Sequence, residues 1–198
     1  MKPNRWDDYY ARRAREEKWL ARSVYKLQEI DRKFKLIHRG DRILDLGCYP
    51  GSWSQYGLKK VGPKGEVVGI DTHAPQRLSA PGFRFIQADV LTLDVEELSE
   101  EISLRHVVLS DLAPPTTGIR ARDESRSLAL GRRAMEAART LLRPKGRFLC
   151  KVFEGEDLVC FEQELSTEFR NIKRFRPKAT RKNSREVYLV GSGFGVQT

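Results

Sequence analysis

Four ionisable residues in this 198-residue chain are of the types that proton-transfer chemistry uses. Lys26 lies in an early helical pattern, and Asp111 directly follows an apolar run. Lys151 and Glu186 lie in apolar runs, where a buried charge is costly unless it is paired. Asp111, Lys151 and Glu186 would converge if the strands that hold them were neighbours in one sheet. Taken singly, each of these residues is explained as well by a structural salt bridge.

A glycine-containing loop follows the first predicted strand, with the sequence Asp45-Leu46-Gly47-Cys48-Tyr49-Pro50-Gly51-Ser52-Trp53. Glycines at such a turn let a ligand approach the backbone closely. The dinucleotide fingerprint GxGxxG is absent, because Pro50-Gly51 stands where its second glycine would be. Close approach by a pyrophosphate is therefore disfavoured. Trp53 is expected either to wall the ligand or to belong to the core.

Two acidic residues are predicted at the ends of neighbouring strands. Asp71 ends the second strand, where it can accept hydrogen bonds from ribose hydroxyls, and Asp89 follows the third, where it can meet an adenine amino group. A glycine loop with two such acids suits a nucleoside that lacks phosphates, and S-adenosylmethionine is one. A nicotinamide cofactor and a purely structural turn remain the alternatives at this point.

The elements that must position these residues alternate between strands and helices. Strands are predicted over 42–46, 67–71, 83–87, 106–110, 148–153, 172–176 and 186–190. Helices are predicted over 23–34, 52–60, 94–101, 124–142 and 157–169. This alternation predicts an α/β fold with a mostly parallel, seven-stranded sheet flanked by helices, which binds ligands at the carboxyl ends of its strands. Residues 1–20 are interpreted as a basic N-terminal arm and residues 21–198 as one domain.

The positive charge is concentrated near the two ends of the chain. The net charge is +10; residues 1–42 hold 13 Lys/Arg against 7 Asp/Glu, and residues 171–186 hold 7 against 1. If the two segments meet on one face, they form a patch suited to an RNA phosphate backbone. A pair of merely solvated surfaces is the alternative. The predicted RNA contacts are Arg12, Arg13, Arg22, Arg174, Arg176, Lys178, Arg181 and Lys182.

Several protein classes are disfavoured by composition. No stretch approaches the ~20 apolar residues that span a bilayer, and the polar N-terminus is unlike a signal peptide, so a cytoplasmic protein is expected. Three cysteines without a CxxC pair disfavour a disulfide framework or a zinc site. His38, His73 and His106 are scattered without ligand spacing, so no metal is predicted.

Taken together, these segments resemble the FtsJ-like (RrmJ type) ribosomal RNA ribose 2′-O-methyltransferases. The similarity extends from about residue 22 to residue 190. The matching segments are Arg22-Ser23-Val24-Tyr25-Lys26-Leu27, Asp45-Leu46-Gly47, Pro50-Gly51-Ser52-Trp53-Ser54-Gln55-Tyr56, Ser110-Asp111-Leu112-Ala113-Pro114, Lys151-Val152-Phe153-Glu154-Gly155-Glu156 and Ser184-Arg185-Glu186-Val187-Tyr188. The chain departs from the family pattern at Cys48, Tyr49, Ser52, Pro115 and Glu154.

The resemblance implies a Rossmann-like, S-adenosylmethionine-dependent methyltransferase with a Lys26–Asp111–Lys151–Glu186 catalytic tetrad and Lys151 as the base. It implies methylation of a uridine ribose in large-subunit ribosomal RNA on the assembled or nearly assembled subunit, without a metal. The moderate size and basic ends of the chain suit a monomer acting on a large particle. Transfer RNA or an mRNA cap is the alternative substrate, and a non-enzymatic ribosome-assembly module is the alternative class. The predicted cofactor contacts are Gly47, Pro50, Gly51, Trp53, Asp71, Asp89 and Asp111.

Overall fold

The structure, a computed structural model, describes residues 5–195, and their side chains from residue 9 onward. Its helices are α1 (Arg5–Glu16), α2 (Val24–Phe34), α3 (Ser52–Val61), α4 (Val95–Glu101), α5 (Arg120–Leu141) and α6 (Leu158–Ser166). Its strands are β1 (Arg42–Leu46), β2 (Glu66–Asp71), β3 (Phe83–Gln87), β4 (Arg105–Ser110), β5 (Leu142–Phe153), β6 (Phe169–Phe175) and β7 (Glu186–Phe194).

One seven-stranded sheet, in the order β3-β2-β1-β4-β5-β7-β6, organises the fold. The strands from β3 across to β5 are paired in parallel, whereas β7 is antiparallel to both β5 and β6. The predicted α/β class with a mostly parallel sheet is therefore confirmed. The neighbouring positions of β4, β5 and β7 satisfy the condition under which Asp111, Lys151 and Glu186 converge.

Helices cover both faces of the sheet and divide the core in two. Alternate residues of β1 enter opposite cores, with Ile43 facing α2 and α3 and Leu44 facing the side of α4, α5 and α6. Because both faces are covered, the central strands β1, β2 and β4 are buried along almost their whole length, as parallel strands usually are. Leu149 and Tyr188 belong to the core beneath α2 and α3.

Several element boundaries differ from those predicted, and three of them have a clear physical reason. Helix α5 begins at Arg120, four residues early, where the Asp123 carboxylate accepts hydrogen bonds from the backbone of Thr117 and Gly118. Strand β5 begins at Leu142, because an irregular bulge precedes its regular pairing with β4. Phe169, predicted to end α6, instead begins β6 and stacks on Phe148.

The described part of the N-terminal arm is a helix packed on α2. Ala14 is buried, the Tyr10 ring lies 5.3 Å from the Tyr25 ring, and the Arg13 guanidinium lies 4.7 Å above Tyr25. Such contacts stabilise a helix whose sequence is too polar to fold by itself. Among the described helices, none is long and apolar enough to cross a membrane.

Candidate active site

Three polar side chains form a row across the carboxyl edge of β4, β5 and β7. Ser110 pairs with Cys150, so the next residues, Asp111 and Lys151, lie side by side, and Lys151 pairs with Tyr188. Lys151 Nζ donates to the backbone oxygen of Asp111 at 2.6 Å and lies 3.1 Å from Asp111 Oδ1. The Tyr188 hydroxyl donates to the same Oδ1 at 2.9 Å. The sheet register therefore assembles this row.

A second ion pair joins α2 to the start of β7. Lys26 Nζ donates to Glu186 Oε2 at 2.6 Å, and both side chains are at most about one-fifth exposed. Lys26 Nζ lies 5.8 Å from the centre of the Tyr188 ring. Glu186 reaches this edge because β7 runs antiparallel and begins opposite Phe153. The structure thus brings all four predicted catalytic residues together.

The charges around Asp111 keep its carboxylate ionised. Burial by itself would raise the pKa of Asp111, but the ammonium groups of Lys151 and Lys26 outweigh burial and hold that pKa below its usual value. Burial, reinforced by Asp111 and Glu186, holds the pKa of Tyr188 well above its usual value. Tyr188 is thus a neutral hydrogen-bond donor to a charged acceptor.

A cavity of about 660 Å³ opens beside this row. Asp111 belongs to the row and also forms part of the cavity wall. Its wall includes the carboxylates of Asp71, Asp89 and Asp111 and one cationic side chain, Arg126. Apolar residues from the loop after β4 and from α5 complete the lining. The cavity therefore favours a ligand that carries positive charge and hydroxyl or amino donors over a polyanion.

The loop after β1 gives this cavity a floor made of backbone. Gly47 has φ +76°, and a Cβ there would lie 2.7 Å from Leu112 Cδ2. The Asp71 carboxylate accepts hydrogen bonds from the backbone N–H groups of Tyr49 and His73, both at 2.9 Å. These bonds fix the carboxylate while the cavity remains open to it. A side chain larger than glycine's at position 47 would intrude on the loop packing.

Three predicted cofactor residues do not line the cavity. Gly51 lies at the N-terminus of α3 with φ +106°, a conformation that favours glycine, and Pro50 precedes it. The Trp53 ring is buried in the core, donates from Nε1 to the backbone oxygen of Ser23 at 2.9 Å and packs on Tyr188. Pro50 has no backbone N–H, and that of Gly51 donates to the backbone oxygen of Cys48 at 2.6 Å. Of the three, only Trp53, in the first turn of α3, has a backbone N–H that is left without a partner within the helix.

Asp45 is a buried acid that sequence reasoning placed in a motif but not in the site. Its Oδ2 accepts from the Ser54 hydroxyl at 2.6 Å, whereas Oδ1 is buried without a hydrogen-bond partner. Burial raises the pKa of Asp45 to about 7, with the carboxylates of Asp111 and Asp71 adding to the shift and the Ser54 bond opposing it. Its central position in an apolar strand was the available signal.

The predicted RNA contacts at the C-terminal side serve two different purposes. Arg174 makes a two-pronged ion pair with Glu162, at 2.7 and 2.6 Å. Arg176 donates to the backbone oxygens of Arg181 and Ser184, in the segment 177–185 that leads into β7, and to that of Glu186, where β7 begins. Lys178, Arg181 and Lys182 lie on that segment and are exposed.

The two basic ends of the chain meet, as an RNA patch requires. Glu29 on α2 accepts hydrogen bonds from the backbone N–H groups of Lys178 and Ala179, at 2.8 and 2.9 Å. Arg22 donates to the backbone oxygen of Ala179 at 3.0 Å. On α1, Arg13 pairs with Glu17 at 2.6 Å and the exposed Arg12 lies 3.7 Å from Glu16.

Metal-ligating side chains do not cluster in the part of the chain that the structure describes. No group of three or more His, Cys, Asp or Glu residues in residues 5–195 has the geometry to hold a metal ion. Cys48 and Cys150 are buried, Cys160 is exposed, and all three are free thiols. The acids around the cavity are thus arranged as hydrogen-bond acceptors.

The sheet topology and the acidic cavity at its carboxyl edge define a Rossmann-like methyltransferase. Residues 19–194 match the FtsJ-like methyltransferase family, and the chain belongs to it. The resemblance drawn from the motifs is confirmed.

Relatives and solved structures extend this comparison. A ribosomal RNA large subunit methyltransferase E from Desulfatibacillum aliphaticivorans is 43% identical over 188 residues, covering 95% of this chain and 91% of the relative. The protein of the same name from Bdellovibrio bacteriovorus is 43% identical over 187 residues, covering 93% and 95%. A Plasmodium falciparum crystal structure, provisionally described as a ribosomal RNA methyltransferase, superposes with TM-score 0.78 at 27% identity, covering 90% of this chain and 100% of that one.

Proposed function

We propose that this protein transfers a methyl group from S-adenosylmethionine to the 2′-hydroxyl of a uridine ribose in large-subunit ribosomal RNA. The observation that carries the proposal is the row of Asp111, Lys151 and Tyr188 beside an acidic cavity that shares Asp111. The names of the relatives at 43% identity support the ribosomal substrate. The product of cofactor turnover would be S-adenosylhomocysteine.

The residues around the cavity fit this cofactor. S-adenosylmethionine carries a sulfonium and an ammonium, which three carboxylates attract, and no pyrophosphate, which they would repel. Asp71 and Asp89 supply acceptors for ribose hydroxyls and an adenine amino group, and Gly47 lines the same cavity. The N-terminus of α3, at Ser52 and Trp53, offers backbone N–H groups to a carboxylate. A nicotinamide dinucleotide fits this lining poorly.

Lys151 is positioned to remove the proton from the ribose hydroxyl. The bound cofactor supplies an electrophilic methyl group on its sulfonium. A neutral lysine amine has two N–H bonds and one lone pair. Asp111 faces two of the N–H groups of Lys151, at its backbone oxygen and at Oδ1. Once the ammonium has released its third proton to solvent, the lone pair that remains can take the hydroxyl proton. Removal of that proton as the carbon–oxygen bond forms is general base catalysis.

Lys26 and Glu186 complete the site as a neutral pair. Their 2.6 Å contact balances each charge, while Lys26 also helps to keep Asp111 ionised. The pair lies between α2 and β7, next to the exposed segment 177–185. It is therefore suited to holding the ribose of an incoming nucleotide against Lys151. Much of the rate enhancement would come from this alignment of the reacting atoms.

The meeting of the two basic ends supports an RNA substrate held by its phosphates. Such contacts fix position and do not read bases, so choice of the uridine would depend on the shape of the ribosomal particle. We further propose that the protein acts as a cytoplasmic monomer on a nearly assembled large subunit, without a metal. Transfer RNA and mRNA caps are the alternative substrates within the same reaction class.

Methyl transfer from labelled S-adenosylmethionine to undermethylated large ribosomal subunits, with nucleoside analysis of the product, tests the proposal. A labelled 2′-O-methyluridine is expected. Free ribosomal RNA and bulk transfer RNA are the parallel substrates. Labelling of transfer RNA alone would overturn the ribosomal assignment, and cofactor binding without transfer to any RNA would favour a non-enzymatic assembly role.

A further inference from the structure

A second polar pocket lies at the opposite edge of the sheet from the active site. It has a volume of about 380 Å³ and forms where β4 and β5 begin and β7 ends. Its lining residues include His38, Asp41, His106, Arg143, Lys145, Arg147 and Ser192. The methyltransferase chemistry uses none of these. Arg147 is four residues from Lys151 along β5, about 13 Å at ~3.3 Å per residue.

Two hydrogen-bond donors in this pocket face each other without an acceptor. The backbone N–H of Arg42 donates to His106 Nδ1 at 3.0 Å, so Nδ1 carries the lone pair and the neutral ring has its proton on Nε2. Arg143 Nη1, which can only donate, lies 2.9 Å from that Nε2. An anion with two or more oxygens, bound beside both groups, would accept a hydrogen bond from each of them.

The backbone of the bulge in β5 is shaped to present these cations. Between Leu142 and Arg147 the strand departs from its pairing with β4, and Arg143 and Lys145 are exposed there. Lys145 has φ +64°, a left-handed conformation that is strained for a residue with a long side chain. This turn places the exposed side chains of Arg143 and Lys145 at the wall of the pocket.

The charge of the pocket is positive even after its internal ion pair is counted. Arg147 pairs with the buried Asp41 at 2.9 Å, which leaves the charges of Arg143 and Lys145. We infer that this pocket binds a backbone phosphate of the RNA substrate, held by Arg143, Lys145 and the Nε2–H of His106. The phosphate would belong to a stretch of RNA remote from the nucleotide being methylated. The choice of RNA rests on the proposed function.

An exposed basic path connects this pocket with the segment beside the active site. Strand β6 is the edge of the sheet, and its Asn171 pairs with Ser192, which lines the pocket. Arg170 and Lys173 are exposed along β6, which leads towards the basic segment 177–185. A phosphate backbone can follow this edge from one face of the molecule to the other, which favours RNA over a small free anion.

Nuclear magnetic resonance of the His106 ring tests whether the pocket binds an anion at all. Burial lowers the pKa of His106, and Arg143, Arg42 and Arg147 lower it further while Asp41 opposes them. Sulfate, a phosphate analogue that stays charged across the titration, is expected to raise that pKa in the wild type and not in Arg143→Gln/Lys145→Asn. No sulfate-dependent change in the wild type would overturn the inference. Asparagine at 145 tolerates the left-handed backbone.

Steady-state methylation of large subunits tests whether the anion is RNA. Arg143→Gln/Lys145→Asn is expected to raise KM for the subunit roughly three- to tenfold, to lower the salt dependence of binding by about one unit of slope, and to leave kcat unchanged. Arg132→Gln/Arg139→Gln removes the same number of charges and is the control. These two arginines lie on α5 and pair with Glu164 on α6 and with Glu168, which follows α6. The control should leave KM unchanged.

The outcomes separate this inference from the proposed function. Wild-type protein without activity on large subunits would refute the proposed function, whereas the sulfate titration would still report on the pocket. Active wild type with the same KM in the pocket variant and in the control would refute an RNA phosphate at this site, even if sulfate binds there.

Discussion

At the residue scale, the pair formed by Lys151 and Asp111 differs from an ordinary buried ion pair. Asp111 occupies only two of the hydrogen-bonding directions of the Lys151 amine. Replacing Lys151 by Met keeps the approximate length of the side chain and removes the basic amine. We expect methyl transfer to fall by about 10² to 10⁴, the usual contribution of general base catalysis. The Kd for S-adenosylmethionine, measured by calorimetry, should stay within about threefold of wild type, because the Lys151 side chain does not line the cavity.

A Lys-to-Met change elsewhere serves as the control for Lys151. Lys60 pairs with the buried Asp31 at 2.9 Å, and Asp31 keeps hydrogen bonds from Tyr56 and Ile37 without it. Lys60→Met should leave transfer unchanged. Loss of cofactor binding in Lys151→Met would show that Lys151 holds the cofactor site together and would remove its assignment as the base.

The buried Asp45 predicts an unusual dependence of stability on pH. Its folded-state pKa of about 7 lies above that of a free aspartate, so folding favours the protonated form. The stability this group contributes is complete below pH ~4 and is lost as pH rises through about 7. Asp45→Asn stays neutral throughout. The free energy of unfolding of Asp45→Asn minus that of the wild type should therefore increase by up to ~4 kcal/mol as pH rises from ~4 to about 7.

Urea denaturation of wild type and Asp45→Asn at several pH values, without cofactor, measures this difference. Asparagine retains an oxygen to accept the Ser54 hydroxyl, so the packing is preserved. If the two proteins lose stability in parallel as pH rises, Asp45 is already ionised in the folded state.

Sequence patterns could predict the four residues that we propose as catalytic, but not two further groups, Tyr188 and Asp45, that lie beside them. Lys26, Asp111, Lys151 and Glu186 are charged residues in apolar or strand-end contexts, which makes them conspicuous. Tyr188 looks like an ordinary core residue of a strand; only the pairing of Lys151 with Tyr188 places its hydroxyl on Asp111. The burial of Asp45 likewise depends on both cores closing around β1.

At the element scale, Arg176 holds the segment that delivers Glu186 to the site. Its guanidinium binds three backbone oxygens, at Arg181, Ser184 and Glu186. Arg176→Ala should loosen residues 181–186 by about 1 kcal/mol or more, since hydrogen bonds to a charged donor are stronger than neutral ones. Hydrogen exchange of these amides should accelerate at least severalfold, and kcat should fall with it.

Arg174→Ala is the matched control for Arg176, because Arg174 lies two residues earlier in the chain and the same charge is lost. Arg174 is bound to Glu162 on α6 and leaves the segment before β7 untouched. Exchange of residues 181–186 should therefore match wild type. Equal exchange in both variants would mean that the segment is held by its other contacts, such as those of Glu29.

Periodicity could place most elements, whereas their ends depended on contacts between distant residues. The predicted strands over 42–46 and 83–87 coincide with β1 and β3. The start of α5 moved because Asp123 organises the preceding turn, and β5 lengthened because Leu142 pairs with Arg105. Such interactions join residues that the local pattern treats separately. The site depends on β4, β5 and β7 being neighbours in the sheet, and from the sequence alone this order could be stated only as a condition.

At the scale of the whole molecule, the fold joins the two basic ends of the chain on one face. Glu29 is the connector, because it accepts two backbone N–H groups from the segment after β6. Charge counts alone predicted a patch only if the ends met. The structure also divides the predicted contacts, since Arg174 and Arg176 are committed to partners within the protein while Lys178 and Lys182 extend from an exposed segment.

The exposed cations of the two ends should therefore contribute separately to RNA affinity. One variant, Lys178→Ala/Lys182→Ala, removes charge after β6, and another, Arg12→Ala/Arg15→Ala, removes it from α1. Each pair should reduce the slope of log binding constant against log salt by up to ~1.4 to 1.8, at about 0.7 to 0.9 per phosphate contact. If both ends contact one RNA, the reductions add in the combined variant, because the sites are distinct.

Filter binding of a large-subunit RNA fragment over a range of salt concentrations measures the slopes. A normal slope in the α1 variant alone would restrict the RNA path to the segment before β7, and normal slopes in both would place the path on another face of the protein.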